Sequence, residues 1–568
     1  MVKFKSIYDE LGEERRQLQS EGKLPEWVTT PAYQMLKENY LSKEYPDLKS
    51  VYTRVASHAA RYTSNQVLWE NKFFNLLWNG YLAASTPVLS NMGTGIGCPV
   101  SCSGGFIEDS VYSFYGAQQE AAVLSKNGFG TSGYLGSIRP RGARIAGIKG
   151  AASGVLPVFK DFVQMSRDIS QGSQRRGAWA GYIEIDHNDF YEIVNYINKN
   201  PDDANIGWNI SDDFIARLEA GDKDAIERYQ KALKLKMVTG KGYFFFVDRV
   251  NKQNPSMYKD RNLTVKASNL CTEITLFSDE EHTFSCVLSS MNASLYDEWK
   301  DTDAVFDATV FLDCVNQDLI EIGRNVPGME KVVRFAEKSR ALGLGLLGFH
   351  TYLQDHMIAF ESMEAYFKNG EIFQHLDSES KRASEWMAQE FGAPLWCNGY
   401  GVRNTHRIAI APNLSSALIC GSVSQGIEPI YKNAYVQNTS AGKMERVNPS
   451  LLKVMKEKDV YSTETIKDII SNNGSVQHVD WLNEDEKAVF KTAFEIDQKQ
   501  IIRLASGRQR YIDQAQSINL FFSADENEEY ISEVHKMAFL DPYIKSLYYI
   551  RSESGVNVSK GECTSCHG

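Results

Sequence analysis

The amino-acid sequence predicts an α/β protein with a helical region at its N-terminal end and a flexible tail at its C-terminal end. In residues 1–82, apolar side chains recur every three or four positions, as in VLWENKFFNLLW at 67–78, which is the spacing of amphipathic helices. Across residues 83–550, short apolar runs such as YFFFV at 243–247 alternate with amphipathic stretches, a pattern typical of βα units. Residues 551–568 are mostly Ser, Gly and charged side chains, so we expect no packed core there.

Length and composition narrow the possible classes of protein. A chain of 568 residues exceeds one ordinary core, so the middle region should be a large α/β barrel or several domains. The 43% hydrophobic and 23% charged residues are typical of folded soluble proteins. No leader sequence and no apolar run long enough for a membrane span is present, so a cytoplasmic location is expected. A net charge of −11 without a Lys/Arg stripe argues against a nucleic-acid partner.

The nine cysteines should be thiols in a reducing compartment. Three of them lie in apolar stretches and are expected in the core: Cys314, Cys397 and Cys420. The final stretch, GECTSCHG at 561–568, could be a haem attachment site, half of a zinc site or a redox dithiol. A zinc site needs about four ligands and no second such pair occurs, while haem attachment goes with export, so the residues favour the dithiol.

A GxGxxG pattern is formed by Gly343, Gly345 and Gly348. In a dinucleotide-binding fold this loop must follow a buried strand. Here it follows VVRFAEKS at 332–339, which is charged and has the pattern of a helix. We therefore favour glycines that permit close packing over a dinucleotide site.

The segment ASNLCTEI at 267–274 places an amide, a thiol and a carboxyl at alternate positions, Asn269, Cys271 and Glu273. In an extended loop these three side chains point the same way. A hydrogen-bonding amide, a sulfur and a base would then share one small volume, as proton-coupled chemistry on a polyol requires. The alternative is a short strand with incidental polar residues.

Further motifs surround this segment. They are ASTPV at 84–88, PVSCSGGFIEDS at 99–110, FSCVLSSMN at 284–292, GVRNTHRIAIAPNLSS at 401–416 and QGIEP at 425–429. Together with Asn269, Cys271 and Glu273, they resemble the large catalytic subunit of ribonucleotide reductases. The resemblance covers roughly residues 84–568 and keeps the order of motifs found in that family.

The resemblance implies the reduction of ribonucleotides, expected to be ribonucleoside diphosphates, to 2′-deoxyribonucleotides. In the family, a thiyl radical at the position of Cys271 removes the ribose 3′ hydrogen, and a carboxylate at the position of Glu273 takes the 3′-hydroxyl proton. Asn269 matches the residue that hydrogen-bonds the sugar hydroxyls. Cys102 and Cys286 match the thiols that supply the reducing equivalents and end as a disulfide.

The tail cysteines, Cys563 and Cys566, resemble the family's shuttle thiols. The resemblance implies that they reduce the active-site disulfide and are then reduced by thioredoxin or glutaredoxin. Cys98 has no counterpart with a role and is expected to be a bystander.

The segment IKSLYYI at 544–550 resembles the tyrosine pair of class I enzymes. Tyr548 and Tyr549 would receive the radical from the metal cofactor of a separate β subunit, so no cofactor is expected to bind this chain directly. The alternative is an adenosylcobalamin-dependent enzyme, which RPRGAR at 139–144 and RRGAW at 175–179 resemble more closely. A non-catalytic nucleotide-binding scaffold would require Cys271, Glu273, Cys102 and Cys286 all to be incidental.

Two groups of residues resemble the family's nucleotide sites. The turn formed by Asn413, Leu414, Ser415 and Ser416 resembles the helix start that binds substrate phosphates through backbone amides, although N-capping by one of the serines is an alternative. Thr86 and Ser101 match residues lining the same site. Asp109, Arg139 and Arg144 match the specificity site for dNTP or ATP effectors, although such arginines could also be solvated or salt-bridged on the surface.

The family fold implied is a ten-stranded α/β barrel of two five-stranded halves, with Cys271 on a loop inside it. A closed barrel suits a thiyl radical because it excludes water. The resemblance also implies a homodimer. The basic, glycine-containing start of an ATP-cone is not found in the helical region, so dATP is expected to tune specificity without an activity switch in that domain.

Overall fold

A computed structural model describes residues 7–147, 149–171, 175–176, 178–203, 205–439 and 442–552. Cys563 and Cys566 of the predicted tail lie outside these residues. The N-terminal region is helical, as predicted, with α1 Ile7–Ser20, α2 Thr30–Asn39, α3 Leu48–Ala60 and α4 Gln66–Trp78.

After α4 the chain alternates between strands and helices. The first part contains β1 Leu82–Ala84, α5 Thr86–Asn91, β2 Cys102–Phe106, α6 Val111–Lys126, β3 Gly130–Tyr134, α7 Val155–Asp168, β4 Ser170–Gln171, β5 Arg175–Arg176, β6 Trp179–Glu184, α8 Phe190–Lys199, β7 Asn205–Asn209, α9 Asp212–Glu219, α10 Lys223–Thr239 and β8 Tyr243–Phe245. The middle part contains α11 Val247–Lys252, α12 Ser256–Lys259, β9 Phe284–Asn292, α13 Tyr296–Trp299, α14 Ala304–Gly323, α15 Glu330–Ser339, β10 Leu342–Leu347, α16 Phe349–Asp355, α17 Met363–Phe391 and α18 Leu414–Ile419. The last part contains β11 Ala434–Thr439, β12 Gly442–Val447, α19 Pro449–Glu457, α20 Thr463–Ser471, α21 Glu484–Val489, α22 Gln498–Gln509, β13 Leu520–Phe522, α23 Glu528–Leu540, β14 Ser546–Leu547 and β15 Ile550–Ser552.

Local capping explains where helices of the N-terminal region begin. The side chain of Thr29 accepts the amide of Ala32 at the start of α2, and Asp47 forms a reciprocal capping box with Ser50 at the start of α3. Such caps satisfy amides that have no partner within the helix. The buried faces of α3 and α4 pack on each other and on α14, which joins this region to the core of the main sheet.

The strands form a closed wall. β2, β3, β6, β7 and β8 pair in parallel in that order. β2 also pairs antiparallel with the start of β9, whose remainder runs parallel to β10. Single parallel bridges continue from Leu344 to Ile408 and from Ile410 to Gln516. β13, which follows Gln516, pairs in parallel with β15. β14, which precedes β15, runs antiparallel to β8, so the last strands connect back to β8 of the parallel sheet.

The α/β barrel with a helical N-terminal region is therefore confirmed, while its strand count stays a prediction. The main sheet of the described residues contains nine strands. Two further crossings of the wall are single bridges at Ile408–Ile410 and Gln516, which are too short to be regular strands.

The GxGxxG residues lie in and just after β10 instead of forming a loop after a strand. A Cβ atom added to Gly343 would lie 2.5 Å from the Leu288 side chain and 2.8 Å from the Cys286 sulfur. β10 can approach β9 this closely only because the position lacks a side chain. The predicted packing role of these glycines is confirmed, and α15 precedes them as predicted.

No helix in the described part of the chain is long and apolar enough to cross a membrane.

Candidate active site

The loop between α12 and β9 lies inside the barrel and carries three predicted residues: Asn269, Cys271 and Glu273. Strands of the wall hold its main chain. The Tyr182 hydroxyl on β6 donates to the carbonyl of Asn269 at 2.6 Å, and the Ser132 hydroxyl on β3 donates to the carbonyl of Ser268 at 2.7 Å. The loop is thus a fixed part of the interior.

The prediction that this segment is extended was wrong between Asn269 and Thr272. The amide of Thr272 donates to the carbonyl of Asn269 at 3.4 Å, and Thr272 adopts a left-handed φ of 70°. The Ser546 hydroxyl on β14 lies between the carbonyls of Gln516, at 2.9 Å, and Thr272, at 3.2 Å, so this turn packs directly against β14. Cys271 lies within the turn, and the side chains of Asn269 and Glu273 meet across it.

The carboxyl of Glu273 is buried and hydrogen-bonded on both oxygens. Asn269 Nδ2 donates to Oε1 at 2.9 Å. The Ser517 hydroxyl is 3.0 Å from Oε2 and 2.5 Å from the carbonyl oxygen of Cys271, and its one proton is shared between these two acceptors. Burial raises the pKa of Glu273 from 4.5 to about 7, and the two side-chain hydrogen bonds oppose that rise. A carboxyl with this acidity can both take and return a proton near neutral pH.

Cys102 on β2 and Cys286 on β9 are directly opposite residues in the antiparallel pair. Asn269 Nδ2 donates to the Cys102 sulfur at 3.3 Å, which ties this thiol to the Glu273 carboxyl through one amide. Gln514 Nε2 donates to the Cys286 sulfur at 3.5 Å. Burial raises the pKa of the Cys286 thiol, so this sulfur keeps its proton at neutral pH.

The predicted tyrosine pair also contacts this loop. The Tyr548 hydroxyl donates to the Cys271 sulfur at 3.4 Å, and the ring centroids of Tyr548 and Tyr549 are 4.0 Å apart. Tyr548 is fully buried, and Tyr549 is partly exposed. The two rings therefore form a contiguous path from partly exposed protein to the buried thiol.

Family models match most of the chain. The model described as the ribonucleotide reductase all-alpha domain matches residues 27–97, and the one described as the ribonucleotide reductase barrel domain matches residues 100–228, 222–397 and 396–550. The chain belongs to the ribonucleotide reductase large-subunit family. The family predicted from the motifs is confirmed, and the chain is an enzyme that reduces ribonucleotides to 2′-deoxyribonucleotides.

Relatives in this family match over nearly the whole chain. The putative ribonucleoside-diphosphate reductase large subunit of Frog virus 3 is 33% identical over 95% of this chain and 99% of its own length. The solved class Id ribonucleotide reductase alpha subunit of Actinobacillus ureae is 38% identical with a TM-score of 0.87, covering 93% of this chain and 98% of that structure. A vitamin B12-dependent reductase of Thermoplasma acidophilum is 28% identical over 85% of this chain and 65% of its own length.

Most of the predicted substrate-binding residues of this reductase lie at the starts of two short helices. α18 begins after Asn413, whose Nδ2 donates to Ser290 Oγ on β9 at 3.0 Å. Ser415 and Ser416 lie inside the first turn of α18 and do not cap it, so the N-capping alternative was wrong. Thr86 begins α5, and its hydroxyl is 2.9 Å from that of Tyr40. The buried Ser101 hydroxyl has no hydrogen-bond partner among the described residues.

The predicted effector residues of the reductase form a separate cluster in front of α6. Arg139 and Asp109 form an ion pair, and Arg139 Nη1 donates to the carbonyl of Arg144 at 3.2 Å. Both members of the pair are partly exposed. The cluster is salt-bridged, as the surface alternative predicted, and its charged atoms are still within reach of solvent.

Several residues that contact the reactive groups of this reductase belong to no motif in the sequence. They are Ser517 and Gln514, which bind Glu273 and Cys286, Tyr182, which holds the loop, and Tyr243, whose hydroxyl donates to that of Tyr549 at 3.2 Å. Each contacts a group more than 80 positions away. No local spacing pattern could have indicated these contacts.

Proposed function

We propose that this chain is the catalytic subunit of a class I reductase that acts on ribonucleoside diphosphates. The diphosphate specificity is supported by the name of the Frog virus 3 relative, and the class by that of the Actinobacillus ureae alpha subunit. In this proposal a separate metal-containing β subunit makes the radical, and this chain binds no cofactor of its own. The reaction takes place in the cytoplasm.

The 3.4 Å contact between the Tyr548 hydroxyl and the Cys271 sulfur carries the proposal. A radical that reaches Tyr549 passes to Tyr548, whose ring centroid is 4.0 Å away. The Tyr548 radical then takes the hydrogen atom of the Cys271 thiol, which leaves a thiyl radical and restores the phenol. Because Cys271 is buried inside the barrel, the thiyl radical is kept from water.

The groups around Cys271 fit the chemistry on the sugar. The thiyl radical removes the 3′ hydrogen, Glu273 takes the 3′-hydroxyl proton, and Asn269 hydrogen-bonds the sugar hydroxyls. The 2′-hydroxyl leaves as water, with two electrons and two protons supplied by Cys102 and Cys286, which become a disulfide. Cys271 returns a hydrogen atom to C3′ and regains its radical, so ribonucleotide and two thiols give deoxyribonucleotide, water and one disulfide.

A reductant must restore the two thiols after each turnover. We assign this step to Cys563 and Cys566, which lie outside the described residues, and to a thioredoxin or glutaredoxin that reduces them in turn. Thiol–disulfide exchange conserves the electron count at each transfer. One Cys563–Cys566 disulfide forms as the Cys102–Cys286 disulfide breaks, and the two protons of the tail thiols pass to Cys102 and Cys286.

The substrate phosphates would bind at the α18 start. Backbone amides in the first turn of a helix have no partner within the helix, and the dipole favours an anion there. Asn413, Leu414, Ser415 and Ser416 supply this turn, and Thr86 and Ser101 would line the site beside it. The unpartnered buried hydroxyl of Ser101 is consistent with a ligand that accepts or donates a hydrogen bond.

Effector binding and assembly are proposed for one surface. Asp109, Arg139 and Arg144 would bind a dNTP or ATP effector. The helix that follows, α6, exposes Val111, Tyr112 and Tyr115 to 65%, 94% and 60%, and apolar faces of this kind are covered in assemblies. A homodimer formed through α6 would place the effector cluster beside its interface, and Tyr112→Glu should then convert dimers to monomers in light scattering.

The test of the function is deoxynucleotide formation by the purified chain with a ribonucleoside diphosphate, a dNTP and dithiothreitol. One arm contains a metal-loaded β subunit and the other contains adenosylcobalamin. Activity only with the β subunit, lost in Tyr549→Phe and kept in the exposed control Tyr461→Phe, is the expected result. Activity with adenosylcobalamin alone would show a class II enzyme, which the Thermoplasma acidophilum relative represents.

A further inference from the structure

A third tyrosine, Tyr243, packs against the Tyr548–Tyr549 pair. Its hydroxyl donates a hydrogen bond to the hydroxyl oxygen of Tyr549 at 3.2 Å. Its ring centroid is 4.8 Å from that of Tyr548 and 5.5 Å from that of Tyr549. Tyr243 is fully buried, so the three phenol rings form one contiguous cluster inside the wall of the barrel.

The pairing of β8 with β14 creates this cluster. The two strands are antiparallel, with Leu547 opposite Phe244. One position further along, Tyr548 therefore comes beside Tyr243. The same pairing closes the barrel wall, so the position of Tyr243 against the pair is fixed by the fold rather than by a mobile side chain.

The hydroxyl of Tyr243 is unusual in its sequence context. Residues 243–246 are all aromatic, and the other three are phenylalanines. Phe244 and Phe246 pack on Phe539, with centroids 5.1 Å and 5.0 Å apart. Packing alone would be served by a phenylalanine at position 243, and burying a hydroxyl is unfavourable unless it is hydrogen-bonded. The residue that faces the tyrosine pair is the one that has a hydroxyl to donate.

Lys236 holds the pair against Tyr243. Its side chain on α10 is fully buried and donates to the carbonyl of Tyr548, and its Nζ lies 5.9 Å from the ring centroid of Tyr243. This contact fixes the main chain of Tyr548 next to α10 and β8. The Tyr243–Tyr549 hydrogen bond therefore forms between groups whose backbones are both anchored.

We propose that Tyr243 is a further catalytic residue of the radical relay, and that its hydrogen bond tunes the oxidation of Tyr549. This inference rests on the proposed function, in which Tyr549 and Tyr548 carry the radical. The Tyr549 oxyl radical takes a hydrogen atom, one proton and one electron, from the Tyr548 hydroxyl. Tyr549 then becomes a phenol again, and Tyr548 becomes the radical. Tyr243 keeps its proton and its electron throughout. Its O–H group stabilises the oxyl oxygen of Tyr549 and orients the lone pair that receives the hydrogen.

The expected size of the effect follows from the strength of one neutral hydrogen bond. Such a bond changes an equilibrium by roughly twofold to tenfold. Tyr243→Phe should therefore lower turnover by about that factor and leave the KM for substrate unchanged. Tyr548→Phe should abolish turnover, because that hydroxyl carries the hydrogen atom itself.

The test uses the complete enzyme, this chain with its metal-containing β subunit. Turnover is compared among Tyr243→Phe, Tyr548→Phe and the control Tyr229→Phe. The Tyr229 hydroxyl is also buried, and its ring centroid is 5.2 Å from that of Phe539, on which Phe244 and Phe246 pack. In parallel, 3-aminotyrosine at position 549 traps the radical for electron paramagnetic resonance. Its spectrum should show a coupling to an exchangeable proton that disappears in Tyr243→Phe, which a purely structural role would not produce.

The possible results separate this inference from the function it rests on. Partial loss of turnover with loss of the proton coupling supports the role of Tyr243. Full turnover, or complete loss equal to that of Tyr548→Phe, overturns it. Full turnover in Tyr548→Phe would overturn the relay itself. Should Tyr243→Phe melt well below the control, a fluorinated tyrosine at position 243 decides, because its more acidic hydroxyl should change turnover, and unchanged turnover would overturn the inference.

Discussion

Cys102 and Cys286 face each other directly across the antiparallel pairing of β2 and β9. The Cα atoms of facing residues in such a pair are about 4.5–5.5 Å apart, which lies within the range that a disulfide spans. The pairing that joins the two halves of the barrel wall therefore also presents two thiols that can form a bond without movement of the main chain.

This geometry predicts that both thiols are needed for repeated turnover. With thioredoxin as the reductant, Cys102→Ser and Cys286→Ser should each reduce deoxynucleotide formation to background. Neither variant can form the active-site disulfide, which supplies the two electrons for the substrate and is then reduced by the tail thiols. In the wild-type enzyme, reaction without external reductant should yield a Cys102–Cys286 disulfide. Differential alkylation followed by mass spectrometry measures this directly.

Cys98 provides the matched control. It is buried like Cys102 and lies four positions before it, and none of the proposed steps uses it. Cys98→Ser should keep full turnover, with at most a modest loss of thermal stability. A loss of turnover in this variant without unfolding would show that Cys98 takes part in the thiol exchange.

The acidity of Glu273 predicts a pH dependence. Burial raises its pKa to about 7, and the proposed role needs the ionised carboxylate. Turnover should therefore rise as the pH increases through about 7 and fall by about tenfold per unit on the acid side. Glu273→Gln should lower turnover by about 10²–10⁴-fold and remove this acid limb, whereas the exposed control Glu464→Gln should leave both unchanged.

The raised pKa of Glu273 also predicts that the stability of the folded protein falls as the pH rises, whereas turnover rises. The pKa of Glu273 is higher in the folded protein than its ordinary value of 4.5, so its contribution is complete below pH 4.5 and is lost as the pH rises through about 7. The shift corresponds to a contribution on the order of 3 kcal/mol. Glu273→Gln should be more stable than the wild type at pH 8 and equally stable near pH 4, as measured by urea unfolding. Parallel stability curves for the two proteins would contradict this.

Local patterns predicted those parts of the molecule that depend on neighbouring residues. The helical N-terminal region follows from apolar spacing, and the start of α18 follows from the sequence around Asn413. The convergence of Asn269 and Glu273 was expected, but for the wrong reason, because a left-handed Thr272 creates a turn where an extended segment was predicted. That turn packs against other segments, such as Ser546, which spacing within the loop cannot indicate.

Contacts that form only when the barrel closes could not be predicted from local sequence patterns. Gln514 and Ser517 come from a segment without a recognised motif and reach Cys286 and Glu273 across more than 200 positions. In the sequence, Tyr243 is one of four consecutive aromatic residues in a buried strand. Its contact with the tyrosine pair becomes visible only from the pairing of β8 with β14. These contacts depend on which strands become neighbours, and the neighbours are set when the barrel wall closes.

The close approach of β10 to β9 predicts an effect of adding one methyl group. Gly343→Ala would place a Cβ atom within 3 Å of both Leu288 and the Cys286 sulfur. Overpacking of this kind destabilises by about 1–3 kcal/mol, and the displaced Cys286 should also lower turnover. Thermal unfolding and deoxynucleotide formation measure the two effects.

Gly370 offers a control for the same substitution. It lies within α17, and a Cβ atom there would have no neighbour within 4 Å. Gly370→Ala should raise stability by about 0.5–1 kcal/mol, because alanine favours the helix, and turnover should not change. Equal stability of the two alanine variants would mean that β9 and β10 separate without difficulty.

A buried ion network predicts the largest loss of stability. Arg340 and Arg403 donate to the two carboxyl oxygens of Asp313 at 2.8 Å and 2.9 Å. Burial alone would raise the pKa of Asp313, but the two guanidinium groups outweigh it and lower the pKa to about 2. The stabilisation should therefore be constant across neutral pH and be lost only as the pH falls toward 2.

Asp313→Asn would leave two guanidinium groups facing a neutral amide in the interior. Removing one partner of a buried pair costs about 3–5 kcal/mol, and urea unfolding at pH 7 should show a loss of that size. The control Asp303→Asn breaks an exposed pair with Arg382, whose side chains are 58% and 48% accessible, and should cost about 0–1 kcal/mol. If the two variants lost equal stability, the desolvation of Asp313 would have to cancel its attraction to both arginines. The network would then fix the position of the chain after α15 without contributing net stability.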